Sequence, residues 1–310
     1  MFFSAAKQTS KSIRATGRRK KTRYNAQAGG LRVESRKKTA SIIQRNCQEG
    51  KAPQMNVPKR TVDKSSERVR RMFGEIAPKY DFLNNLTSIG LAIRWRRRLV
   101  DEVFKRLEKD VRTTPKKTIE TLDVATGTGD VVIEERRQWA RRARKNRAFA
   151  EELRPVGLDF TPEMLVLARQ KVADVEFVEG DGLDLPFESN RFDAATISFG
   201  LRNMTDPERG IAEMTRVCRP GGVVAILEFS PTKFPVFAPI FRFYFHRVLP
   251  AIGQRVAKND FDAYRYLPQS VDAFEQPSQV LEYMRRNGLE APIRYPMTFG
   301  VLGLFIGIKK

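Results

Sequence analysis

The feature that most restricts the fold is a β-prone run at residues 119–124 that ends in a glycine turn, Asp123-Val124-Ala125-Thr126-Gly127-Thr128-Gly129-Asp130, with a helix-prone stretch directly behind it. Gly127 and Gly129 permit a tight turn and close approach of a ligand to the backbone, and the helix start supplies free N–H groups. A dinucleotide fingerprint would need a third glycine where Val132 stands, and a phosphate-cradling loop would need a Gly-Lys-Ser/Thr ending. Neither is present. The turn suits a ligand less anionic than pyrophosphate.

The same strand-then-helix pattern continues down the chain. Further β-prone runs fall at 156–158, 175–178, 194–198 and 223–228, separated by helix-like stretches at 131–152, 162–173 and 207–218. Such alternation predicts a parallel sheet with right-handed crossovers. Thr161 before Pro162 reads as an N-cap followed by a first-turn proline. A helix at 278–287 should stop at Gly288, and apolar runs at 293–298 and 301–308 around Gly300 predict a closing hairpin.

Acids recur just past successive strands: Asp159 ends the second, and Asp181-Gly182 follows the third. In open parallel sheets, ligands sit beyond the carboxyl ends of the strands, so these acids converge on one crevice. One can accept from both ribose hydroxyls and the next from an adenine amino group. A carboxylate rim favours a cation and repels phosphate. S-adenosyl-L-methionine, an adenosine carrying a sulfonium, fits these demands; NAD is the second candidate.

Charge separates a leader from the rest. Residues 1–60 hold 16 basic and 2 acidic residues out of totals of 57 and 36. Lys7, Lys11, Arg14 and Arg18 would share one helical face, and no acid precedes Glu34. This composition predicts a mitochondrial import signal, with a basic tail touching nucleic acid or anionic lipid as the alternative. A single histidine, His246, excludes multi-histidine metal sites and makes a histidine-dependent hydrolase a poor reading; it is expected at the surface. Two cysteines cannot form a cysteine cage, and no metal is expected. The arginine-rich stretch 134–154 reads as a solvated helix face, with anionic headgroups as the alternative partner.

Two longer segments add a resemblance. Tyr80-Asp81-Phe82-Leu83-Asn84-Asn85-Leu86-Thr87-Ser88 with Trp95, and Arg216-Val217-Cys218-Arg219-Pro220-Gly221-Gly222 running to Leu227-Glu228-Phe229-Ser230, resemble the two signatures of the ubiquinone/menaquinone-biosynthesis C-methyltransferases. Ile197-Ser198-Phe199-Gly200-Leu201-Arg202-Asn203, Asp262-Ala263-Tyr264-Arg265-Tyr266-Leu267 and Thr298-Phe299-Gly300-Val301 are also similar to that family. Leu83, Thr87, Ala92, Thr126 and Cys218 depart from its usual residues, Ala92 replacing a histidine.

The resemblance implies an α/β, class I S-adenosylmethionine-dependent methyltransferase: a Rossmann-like, mostly parallel seven-stranded sheet closed by an antiparallel hairpin. The basic leader over 1–60 is expected to be an import signal and flexible arm, and the resemblance implies a catalytic domain over 61–310, with lid helices at about 64–110. Cofactor contacts are expected from Asp123, Gly127, Thr128, Gly129, Asp159, Asp181, Gly182 and Ser198. Arg202, Asn203 and Tyr80 are expected to be catalytic: Arg202 would stabilise a quinolate and position water, with a carboxylate or Tyr80 taking the ring proton. Asp81 and Asn84 are expected at the substrate, and Phe237 and Phe241 along its tail. The expected substrate is a polyprenyl quinol, and the leader favours the ubiquinone branch on the matrix face of the mitochondrial inner membrane. Demethylmenaquinol is the alternative. Other quinone-biosynthesis proteins, a membrane surface and a second copy of the chain are expected partners; nucleic acid is not. An RNA methyltransferase and a non-catalytic scaffold are the competing classes.

Overall fold

The structure is a computed structural model that describes residues 64–88, 90–113, 118–145, 152–230, 239, 243–248 and 263–310. The leader and its import reading, like Phe237 and Phe241, lie outside the described residues.

Seven strands form one sheet: β1 Thr118–Val124, β2 Glu152–Asp159, β3 Glu176–Glu179, β4 Phe192–Ser198, β5 Cys218–Phe229, β6 Leu289–Met297 and β7 Leu302–Lys309. Their order is β3-β2-β1-β4-β5-β7-β6. β1 to β5 run parallel, while β7 pairs antiparallel with both β5 and β6. The fold is therefore the expected α/β class I methyltransferase architecture with its closing hairpin. Strand order reverses between β1 and β4, which makes the crevice beyond their carboxyl ends the natural ligand position.

The helices are α1 Ser66–Ile76, α2 Tyr80–Thr87, α3 Leu91–Thr113, α4 Asp130–Lys145, α5 Pro162–Lys171, α6 Pro207–Val217, α7 Ala263–Asp272 and α8 Pro277–Arg286. No described helix is long and apolar enough to cross a membrane.

Alternation along the strands divides the core between the sheet's faces. On β5, Val223, Ala225 and Leu227 pack with Leu99, Val103 and Phe104 of α3. Their neighbours Val224 and Ile226 pack with Ile211 and Met214 of α6 and with Val280 and Met284 of α8. The sheet is thus covered on both faces, as parallel strands require.

Three local expectations change. The helix expected over 131–152 is described as α4 up to Lys145, and β2 already begins at Glu152. β2 is also longer than the apolar run at 156–158, because Glu152 to Pro155 pair with Thr118 to Thr121 of β1. β3 pairs only from Val156 onward, so Pro155 lies where β2 has a neighbour on one side only, the edge position in which strands tolerate proline. Thr161 holds the N-cap position of α5, but its hydroxyl makes no capping bond; Asp159 instead accepts the Thr161 N–H at 2.9 Å. At α6 the cap is conventional, with Asp206 accepting the Arg209 N–H at 3.0 Å.

Candidate active site

The carboxyl ends of β1 and β4 both turn sharply. Ala125 and Phe199 have positive φ values of 52° and 61°. The turns nearly touch, since a Cβ on Gly200 would lie 2.7 Å from the Ala125 Cβ. A bulky residue held in left-handed backbone is costly, and such residues concentrate where a ligand dictates the geometry.

Between these turns and α1 lies an open cavity of about 780 Å³, counting its mouth. Gly127, Asp159, Asp181, Gly182 and Ser198 line it, as the strand-end pattern predicts. Asp159 is fixed from both sides: Oδ2 accepts the Gly127 N–H at 2.8 Å and Oδ1 the Thr161 N–H. Burial raises the Asp159 pKa, while these backbone donors oppose the rise. Each oxygen retains acceptor capacity for a ligand hydroxyl. Asp181 is exposed and folds back on the Leu183 N–H at 2.9 Å. Gly182 is closely packed: a Cβ there would meet the end of the Met204 side chain at 2.5 Å and Val124 at 3.1 Å, so Met204 would have to shift. The Ser198 Oγ is buried without a protein partner and borders the same cavity. An orphaned hydroxyl, a buried carboxylate with spare lone pairs and an exposed acid at the rim suit the hydroxyls and amino group of an adenosine.

Asp123, Thr128 and Gly129 belong to the same turn but lie off the cavity wall. Asp123 is buried behind it, accepting from the Thr196 hydroxyl at 2.7 Å, and burial pushes its pKa up to about 7. Close by, Glu135 of α4 accepts from the Thr121 hydroxyl at 2.9 Å and is pushed up to about 8, by burial first and the Asp123 charge second. Gly129 has φ 81° and would place a Cβ 3.3 Å from Phe177, so glycine serves packing there. The Thr128 hydroxyl donates to Asp81 Oδ1 at 2.6 Å and accepts from Lys171 Nζ at 2.8 Å. Lys171 also pairs with Asp81 at 2.5 Å and with Asp130 at 3.0 Å. Asp81, expected at the substrate, is found tying helix α2 to the glycine turn and the end of α5. Its short side chain sits within reach of a cation that sequence spacing alone could not bring near.

A second cavity adjoins the first, and Phe73, Tyr80 and Phe199 line both. Trp95, Phe199, Phe229 and Tyr266 give it aromatic walls, with Asn84 and Arg202 as polar groups. Arg202 is only 6% exposed and Glu228 fully buried. Arg202 Nη1 donates to Glu228 Oε1 at 2.8 Å and to the Phe199 carbonyl at 2.6 Å. The Arg202 and Phe229 N–H groups complete the Glu228 carboxylate, at 3.2 and 2.8 Å. Asn203 accepts from the Tyr266 hydroxyl at 3.2 Å, and its amide donates to the Phe199 carbonyl at 3.4 Å. Tyr80 bonds to Asn84, and burial raises its hydroxyl pKa above the usual phenol range.

Sequence reading placed Arg202 and Asn203 here but assigned no task to Glu228, Tyr266, Phe229 or Trp95. Glu228 carried a usable signal: an acid in the otherwise apolar run from Val223 to Phe229 must find a cation. His246 lies at the surface beside Asp272, at 3.3 Å.

Comparison with known proteins agrees with this geometry. Residues 61–309 match the model of the ubiE/COQ5 methyltransferase family. A demethylmenaquinone methyltransferase of Thermus thermophilus is 43% identical over 241 residues, covering 76% of this chain and 99% of that protein. The match thus spans nearly the whole length of that protein. The corresponding enzyme of Deinococcus radiodurans is 43% identical over 246 residues, covering 78% of this chain and 92% of that one. A ubiquinone/menaquinone biosynthesis C-methyltransferase of a Geobacter species is 39% identical over 254 residues, covering 80% and 99%. These relatives are bacterial, and they do not bear on the mitochondrial expectation. The fold, the paired cavities and the match along the whole described domain lead to one assignment: the chain belongs to the ubiE/COQ5 family and is an S-adenosylmethionine-dependent C-methyltransferase of quinone biosynthesis.

Proposed function

We propose that this enzyme methylates a ring carbon of a polyprenylated quinol, with demethylmenaquinol as the acceptor. One observation carries the reading: a polar crevice and an aromatic chamber share Phe73, Tyr80 and Phe199 as a common wall, with the buried Arg202 cation on the chamber side. The relatives named as demethylmenaquinone methyltransferases support the two-ring acceptor.

When bound, the cofactor supplies an electrophilic methyl group on a sulfonium. Asp159, set by the Gly127 and Thr161 N–H groups, accepts the ribose hydroxyls; Ser198 Oγ and Asp181 take the remaining polar edges. In the chamber, Trp95, Phe229 and Tyr266 hold the quinol ring. Arg202 cannot act as a base, since guanidinium keeps its proton. Anchored by Glu228 and the Phe199 carbonyl, it presents a fixed charge that stabilises the quinolate, whose electron density reaches the ring carbons. Tyr80 was an expected proton acceptor. Burial keeps its hydroxyl neutral, so it donates a hydrogen bond to the quinolate while the ring proton leaves to water.

The leader's acid-free basic start favours the benzoquinol, ubiquinone-branch acceptor as a second reading. Both are tested by expressing the chain in a bacterium that makes both quinones and lacks its own quinone C-methyltransferase, then analysing the quinones by mass spectrometry. Restored menaquinone supports the primary reading. Restored ubiquinone alone selects the second, and unmethylated precursors of both refute the function.

A further inference from the structure

Outside the active site, the most unusual surface is an open groove between α3 and α4. Arg94, Arg97 and Arg98 come from α3 and Arg141, Arg142 and Lys145 from α4, against Asp101 and Glu134 as the acids. Some of this charge is satisfied internally. Arg142 pairs with Asp101 and Glu108, each at 2.7 Å, Arg98 with Glu102 at 2.9 Å, and Arg97 approaches Glu134 at 3.8 Å. Arg94, Arg141 and Lys145 are exposed, and none of the three has an ion pair among the described residues. These three cations share one groove, and an external anion relieves their mutual repulsion.

The arginines of α4 alone fit a solvated face. What changes their meaning is a second cationic row, on α3, that the fold lays alongside them. Ile93 is 41% exposed and lies one turn before Arg97, so an apolar residue shares the arginines' face. An apolar side chain among cations is the pattern of a helix lying on lipid headgroups. A single-stranded nucleic acid would instead need aromatic platforms, and no aromatic residue lines the groove.

We propose that the α3–α4 groove docks the enzyme on anionic phospholipid headgroups, whose phosphodiesters sit among Arg94, Arg141 and Lys145. The position has a consequence for substrate entry, and that consequence alone rests on the quinol reading. Ala92 and Trp95, on the other side of α3, line the aromatic chamber. One helix therefore separates headgroups from quinol ring, about 10 Å across. A prenylated quinol moves from bilayer to chamber around a single helix.

The test is sedimentation with phosphatidylcholine vesicles, with and without phosphatidylglycerol, at about 0.15 M salt. Two full-length proteins are compared: wild type and Arg94→Glu/Arg141→Glu/Lys145→Glu. The leader's own attraction to anionic lipid is common to both, so the difference between them reads the groove. We expect wild type to bind only the anionic vesicles and the variant to lose about 100-fold in partition, from three cations at roughly fivefold each. Methyl transfer to a short-tailed, water-soluble quinol should be equal in both; if both are inactive while vesicle binding still differs, the quinol reading fails and the docking site stands. Should the charge reversals unfold the protein, the triple Gln variant replaces them. Equal partition of the two proteins, or no partition of either, overturns the proposal. Preferential capture of short RNA by wild type, lost in the variant, assigns the groove to nucleic acid and overturns it too.

Discussion

Replacing Glu228 by glutamine tests the electrostatic centre of the chamber. The Glu228 carboxylate is fully buried and accepts from the Arg202 guanidinium, the Arg202 N–H and the Phe229 N–H. Glutamine preserves the shape but removes the charge, and its amide turns a donor toward one of those donors. The Arg202 cation, 6% exposed, then stays buried without a counter-charge. Removing one partner of a buried pair costs about 3–5 kcal/mol. For a domain of this size each kcal/mol lowers Tm by about 2–4 °C, which gives a fall of roughly 6–20 °C. Turnover should fall further than stability explains, by about 100-fold or more, because the guanidinium loses its fixed position. Thermal melts and single-turnover methyl transfer to a soluble quinol give the two numbers. The paired replacement Glu228→Leu with Arg202→Met should restore most of the stability and none of the turnover. A Glu228→Gln protein that melts within about 2 °C of wild type, well inside the scale above, and turns over normally would refute this account of the chamber.

Three other outcomes follow from the same geometry. Gly182→Ala forces a Cβ to within 2.5 Å of Met204, so calorimetry should show at least about tenfold weaker binding of S-adenosylhomocysteine, with the sheet intact by circular dichroism; unchanged affinity would remove Gly182 from the cofactor wall. Asp81→Asn breaks the Lys171 pair and weakens the bond to Thr128, and hydrogen exchange in residues 66–88 should speed up while the strands stay protected. Burial raises Asp123 to about 7 and Glu135 to about 8, so the folded state binds more protons than the unfolded one above the ordinary carboxylate range. Their share of stability is complete at acid pH and is lost as pH rises toward 7–8, at roughly 1 kcal/mol per pH unit for each group. Glu135→Gln should flatten that decline in unfolding free energy; an unchanged slope would show that Glu135 does not take up the proton.

Much of the fold was legible because it rests on local rules. Strand ends, the glycine turn and the helix-starting proline at 162 each leave a mark within a few residues. The acids at the strand ends were readable for the same reason: topology alone decides where those ends meet. What escaped depended on long-range packing. Lys171 finds Asp81 across two intervening strands and two helices, and Glu228 finds Arg202 across a helix, pairings that no spacing encodes. The α3–α4 groove is similar. Arginines 94, 97 and 98 look ordinary until the fold lays them beside 141, 142 and 145. The N-terminal reach of β2 through Pro155 was hidden because proline argues against a strand unless one side of that strand is known to be unpaired.

Ring methylation is measured most directly with the purified enzyme, trideuteromethyl-labelled S-adenosylmethionine and short-tailed demethylmenaquinol kept reduced. The account predicts label on the quinol ring carbon, lost in Asp159→Ala and in Arg202→Met. Label on a quinol oxygen, or no transfer by a protein that binds S-adenosylhomocysteine normally, would contradict it.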